Sequence, residues 1–168
     1  QDQITMDFTD EGLRIQIQDK AAQVLFDSGS ATLKSYTLSI LKEIAKELGK
    51  LPNRVVIGGH TDSAQFSSNG RTNWELSSER ANAARRVMES AAGGLRPGQV
   101  RRVTGYADTI PIEGKDPKDP QNRRISLIVV SAANEAVENK HHKAQPRETD
   151  RKAAASPITV LLLGETGV

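Results

Sequence analysis

Residues 58–87 read GGHTDSAQFSSNGRTNWELSSERANAARRV, and the way this stretch divides decides the fold. The apolar run Val55-Val56-Ile57 leads into Gly58-Gly59, the pattern of a short strand buried on both faces. A polar, Gly-containing loop from Ser63 to Arg71 follows. Thr72 with Glu75 three residues on matches a capping box, with Asn73 as a rival cap, so a helix is expected to start there and run to about Ala92 before Gly93-Gly94. At about 100° per residue, Leu76, Ala83, Val87 and Ala91 fall in one stripe with Arg80 in its middle. A charge on an apolar stripe must be paired or reach water. Asp62 stands just past the strand exit, in the crevice that open sheets offer to ligands. Asp62 and Arg80 therefore frame a small polar pocket, or else form a structural ion pair with each other.

Working outward, Ile4 to Phe8 and Leu13, Ile15 and Ile17 alternate apolar and polar on either side of Asp10-Glu11-Gly12, which predicts a hairpin. Val24-Leu25-Phe26 runs into a polar loop. From Leu33, positions 37, 40, 41, 44 and 48 give one helical face that Gly49 and Pro52 close. On the other side, Val100 to Gly105 and Arg124 to Ser131 read as strands, separated by an exposed Pro- and Gly-containing loop from Tyr106 to Gln121. The order is hairpin, helix, strand, helix, strand, strand, an α+β fold (an α/β sandwich) in which helices pack on one face of a mixed β-sheet. The expected organisation is a domain over 1–131, its first twenty residues a hairpin and linker region, then a polar helical extension over 132–143 and a flexible tail over 144–168. The apolar run Ile158 to Leu163 in that tail has no assigned role.

Composition narrows the function. A net charge of +2 argues against a general attraction to nucleic acid or anionic membrane. The seven arginines between Arg71 and Arg102, with no lysine among them, suit forked recognition of carboxylate or phosphate, although Arg85, Arg86 and Arg96 also fit a solvated helix face. With no cysteine, disulfides and thiolate metal sites are excluded. No stretch approaches the roughly 20 apolar residues of a spanning helix. The chain opens on Gln1 rather than Met, as a processed or excised chain would, which leaves room for an upstream anchor.

Catalytic and cofactor signatures are missing. There is no G-x-S-x-G elbow, no phosphate loop, and no set of metal ligands around His60, since the other histidines, His141 and His142, lie in the C-terminal region. His60 reads as a loop histidine, with a general base working beside Asp62 as its alternative. Trp74, the sole tryptophan, reads as packing in the first helical turn, with a stacking platform as the alternative. No cofactor and no enzymatic activity are expected.

G-H-T-D at 59–62, N-x-x-L-S-x-x-R-A at 73–81, G-Y-A-D at 105–108 and N-R-R-I-S at 122–126 resemble the OmpA-like peptidoglycan-binding family over about residues 20–131. The Trp and the long preceding loop look most like its flagellar stator branch; the outer-membrane lipoprotein and porin-type anchors have a shorter loop. The resemblance implies non-catalytic recognition of diaminopimelate in the peptidoglycan stem peptide. Asp62 would pair the ligand ammonium and Arg80 fork onto its carboxylate, with Thr61, Asn73, Leu76 and the Arg123-Arg124 pair around them and Arg123 the direct contact. It further implies a homodimer in the periplasm, tethered to the inner membrane through a transmembrane segment absent from this chain, by which it would meet a stator partner subunit. Outer-membrane anchoring is the alternative within the family, and a cell-wall hydrolase using His60 and Asp62 is the remote one.

Overall fold

The computed structural model of the protein describes residues 3–143, with side chains through 137. Contacts divide the chain after Glu135, where the first compact unit ends. The tail over 144–168, with Ile158 to Leu163, lies outside the described residues.

The chain forms β1 (Ile4–Phe8), β2 (Gly12–Gln18), α1 (Ser35–Leu48), β3 (Val55–His60), α2 (Asn73–Glu89), β4 (Val100–Gly105), β5 (Arg124–Val130) and α3 (Ala132–Lys143). The strands make one mixed five-stranded sheet in the order β1-β2-β5-β3-β4. β3 and β4 are parallel, joined through α2, and the other pairs are antiparallel. β5 therefore returns between β2 and β3, at the centre. The residues that alternate onto one face, Ile15, Ile17, Ile57, Ile125 and Leu127, close a core with Leu41 and Ala45 of α1 and Ala81, Ala84 and Met88 of α2.

The mixed sheet with its helices is as the sequence pattern predicts, with local differences. α1 begins at Ser35 rather than at Leu33, which instead forms an isolated bridge with Phe26. α2 ends at Glu89 rather than near Ala92, because Ser90 turns extended and caps it. Its buried stripe is rotated toward Ala84 and Met88, which leaves Ala91 exposed. Thr72 does cap α2, in a full capping box with Glu75. Among the described residues no helix is long and apolar enough to cross a membrane.

Two glycines set how closely α2 lies on the sheet. A Cβ at Gly59 would run into the Ser77 carbonyl, and one at Gly105 into the Ser78 hydroxyl and backbone. Only hydrogen at both positions lets the helix backbone sit against β3 and β4. Ser77 Oγ uses this approach to accept the Ala107 N–H at 2.9 Å.

Candidate functional site

Three chain ends meet at the exit of β3. Thr61 and Asp62 follow β3 directly, Asp19 follows β2, and Arg123 precedes β5. Because β2 and β3 each run antiparallel to β5, the exits of both strands and the start of β5 share one end of the sheet. Arg80 reaches the same place from α2. The four charged side chains line a cleft of about 270 Å³ together with Val24, Phe26, Phe66 and Leu76.

Each charge is held by specific neighbours. Asp62 Oδ1 accepts the Ala64 N–H at 3.0 Å, and Oδ2 accepts Arg123 Nη1 at 2.7 Å. Arg123 Nε donates at 2.6 Å to Asp19 Oδ2, while Asp19 Oδ1 accepts the Leu25 N–H at 2.8 Å. Arg123 thus bridges two carboxylates. Its own position follows from fully buried Asn122, whose side chain accepts the Ile112 N–H at 2.7 Å and donates to the Asp116 carbonyl at 2.9 Å, fixing the loop that ends there.

Arg80 does not pair with Asp62. It donates through Nε to the Ser30 carbonyl at 2.8 Å and through Nη2 to the Asp27 carbonyl at 3.3 Å, and it lies 4.8 Å from the Phe26 ring centroid. The structural ion pair that the sequence allowed is therefore not formed. Arg80 is only 6% exposed, and among the described residues it has no salt-bridge partner. Desolvation lowers its pKa despite the attraction of Asp19 and Asp62. Burial likewise pushes the Asp19 carboxyl above the ordinary range, against the opposing bonds from Arg123 and the Leu25 N–H. For Arg123 desolvation is the largest influence, but the two carboxylates together outweigh it and raise its pKa.

Two carboxylates against two guanidiniums make a charge-balanced cleft. One buried guanidinium keeps N–H groups beyond those given to backbone carbonyls, and buried Thr61 Oγ1 has no hydrogen-bond partner. A ligand carboxylate would complete Arg80, and a ligand cation would join Arg123 on Asp62.

Of the residues singled out in the sequence, Asp62, Thr61, Asn73, Leu76, Arg80 and Arg123 all line the cleft. Arg124 does not. Strand alternation turns it to the opposite face of β5, where it donates to Gln16 Oε1 at 2.8 Å and to the Asn122 and Ile110 carbonyls. His60 is no loop histidine; it is the buried last residue of β3, stacked on Tyr106 with ring centroids 4.8 Å apart. Trp74, expected to pack, is 55% exposed. Sequence reasoning missed Asp19, whose only signal is the break in alternation at Gln18-Asp19, and Phe26 and Phe66, whose apolar rings carry no mark of a site. Among the described residues no cluster of three or more His, Asp or Glu could hold a metal ion.

Residues 25–125 match the model of the OmpA family. Motility protein B of Escherichia coli (strain K12) is 42% identical over 159 residues, which cover 92% of this chain and 51% of that protein, so the chain spans about half the length of this relative. Among solved structures, the periplasmic domain of Helicobacter pylori MotB superposes with a TM-score of 0.64 at 21% identity, covering 82% of this chain and 94% of that one. The cell wall anchor of the T6SS from Pseudomonas aeruginosa gives 0.63 at 23% identity, over 77% and 89%. At these identities the two structures speak for the fold alone.

Proposed function

Because the chain belongs to the OmpA family, we propose that it binds peptidoglycan without catalysis and anchors a flagellar motor stator to the cell wall. Its ligand is the diaminopimelate side chain of the stem peptide, seated in the cleft between Asp62 and Arg80. The observation that carries this reading is the buried guanidinium of Arg80, which faces a charge-balanced cleft without a carboxylate of its own. Diaminopimelate ends in an amino acid, and its carboxylate supplies the missing partner while its ammonium meets Asp62. Arg123, fixed between Asp19 and Asp62, gives a second donor for the ligand; Thr61, Asn73 and Leu76 shape the walls. Arg124 serves by holding the loop that precedes Arg123.

The stator role follows from the likeness to Motility protein B over most of this chain. It brings with it a periplasmic location, an inner-membrane tether, a homodimer and a stator partner subunit.

Diaminopimelate titration and peptidoglycan pull-down of wild type, Asp62→Ala and Arg80→Ala test the site. Removing either charge is expected to weaken binding by about 2–5 kcal/mol. Both variants folding and binding as wild type would remove the cleft from consideration; lower stability at unchanged affinity would make these charges structural only. Turnover of muropeptides by the wild type would overturn the non-catalytic reading.

A further inference from the structure

The loop between β3 and α2 narrows to a two-residue turn. Ser68 and Arg71 exchange both backbone hydrogen bonds, at 3.2 and 2.9 Å, with Asn69 and Gly70 between them at φ 53° and 76°. Both values are left-handed, as the tight mirror-image hairpin turn requires, and Asn-Gly is the pair that meets them most readily. We propose that Asn69 is a site of spontaneous deamidation, and that the isoaspartate it yields unseats one wall of the charged cleft.

The pair that makes the turn is also the pair that reacts. Asn69-Gly70 is the sole Asn-Gly step in the chain. Gly70 has no side chain to screen its amide nitrogen, and a Cβ built there would meet nothing within 4 Å. Residues 67–70 are all exposed, and among the described residues neither the Gly70 N–H nor the Asn69 side-chain amide makes a hydrogen bond. Asn53, Asn73, Asn82, Asn122 and Asn134 are instead each held by a side-chain hydrogen bond. In the reaction the Gly70 nitrogen gives up its proton and attacks Asn69 Cγ. A new N–C bond closes a cyclic imide, the Cγ–Nδ2 bond breaks, and Nδ2 leaves with that proton as ammonia. Water then opens either carbonyl of the ring to give aspartate or isoaspartate. The net change takes up water and releases ammonia, and needs no oxidant, metal or enzyme.

The product acts on the cleft through Arg71. Its backbone forms half of the bridge to Ser68, and its guanidinium is ion-paired to Glu79 and lies 5.3 Å from the Phe66 ring centroid. Phe66 lines the cleft and packs on Gly29, where a Cβ would come within 3.0 Å of the ring. Gly29 belongs to the turn whose Asp27 and Ser30 carbonyls hold Arg80. Isoaspartate routes the main chain through the former side-chain carbonyl and adds a methylene to a turn that fits only two ordinary residues. Both rungs of the Ser68–Arg71 bridge then cannot close, and Arg71 loses its seat over Phe66. Aspartate keeps the original main chain, so the added charge alone leaves the bridge intact.

Incubating the folded protein at mildly alkaline pH and mapping its peptides by mass should show conversion at Asn69 about tenfold faster than at Asn53, Asn82 or Asn134. Enzymatic methylation of isoaspartate should label the same peptide, and Asn69→Gln should abolish both signals. Asn69 staying intact in the folded protein while it converts in urea would overturn the site. Once the forms are separated, amide exchange from Ser63 to Arg71 should be faster in the isoaspartyl form and unchanged in Asn69→Asp; equal exchange in all forms would overturn the effect on the wall. The consequence for binding rests on the peptidoglycan reading above. Diaminopimelate affinity should fall about tenfold in the isoaspartyl form and stay within about twofold in Asn69→Asp. An isoaspartyl form that binds as tightly as untreated protein would overturn the link to the cleft. If untreated protein does not bind diaminopimelate, the peptidoglycan reading fails, and methylation and exchange still decide the modification.

Discussion

His60 ends β3 with a neutral ring in a place hostile to charge. Burial, reinforced by Arg124 and Arg14, pulls its pKa down to about 3, and its Nδ1 has no hydrogen-bond partner. In the unfolded chain the same group titrates near 6.5. The depressed folded value means that stability is complete above pH ~6.5 and is lost as pH falls toward ~3, by roughly 3–5 kcal/mol at most. His60→Gln should flatten that part of a stability-against-pH curve measured by urea denaturation; an unaltered slope would assign the acid sensitivity elsewhere. Asp19 has the opposite sign. Its folded pKa is raised, so its contribution is fully present below the ordinary carboxylate pKa and is lost as pH rises through the folded value. Ionised Asp19 is thus a cost to folding that fixes Arg123, and under the proposed function it holds that guanidinium for the ligand. Asp19→Asn is expected to leave stability at neutral pH unchanged or higher while diaminopimelate affinity falls about tenfold. Lower stability with intact affinity would contradict this division.

At the scale of elements, α2 is the part that both the fold and the cleft depend on. Its N-terminus is fixed by Thr72 and Glu75, and its distance from the sheet by Gly59 and Gly105. Thr72→Ala should cost about 1 kcal/mol by urea denaturation. Gly59→Ala should cost more, about 1–3 kcal/mol, and also weaken ligand binding, because lifting α2 moves Arg80 away from the Ser30 and Asp27 carbonyls. Binding unchanged in a folded Gly59→Ala protein would argue against that coupling. These elements were legible in the chain because their signals are local: a capping box, a Gly-Gly strand exit, a charge on an apolar stripe. What was not legible depends on register and long-range return. By residue type Arg123 and Arg124 look equivalent; the resemblance pointed to Arg123, and the pairing of β5 between β2 and β3 is the physical reason that the first faces the cleft and the second the far side of the sheet. Asp19 joins the site through a partner 104 residues away. Trp74 sits in an unambiguous helical turn, yet the turn faces a groove rather than the core.

For the whole molecule, the strand order puts the central strand, β5, far in sequence from both of its neighbours, β2 and β3, and an edge strand, β1, first in the chain. Amide hydrogen exchange should accordingly be slowest in Ile125–Leu127 and Val55–Ile57, and faster in β1 and in the loop from Ser63 to Arg71; β1 as protected as β5 would contradict the edge assignment. The same topology fixes where tension would travel. Gln3, at the entry to β1, accepts the Gln18 N–H at 2.8 Å, Gln18 is the register partner of Arg124, and the next rung is the Asp19 N–H on the Arg123 carbonyl at 2.9 Å. A pull between the start of the domain and a ligand held in the cleft therefore crosses the strands at one end of the sheet instead of running along them. Rungs loaded in that direction give way one after another, as a zip does, whereas strands sheared lengthwise resist together; the short transverse path makes the Gln3–Gln18 rung the first to yield.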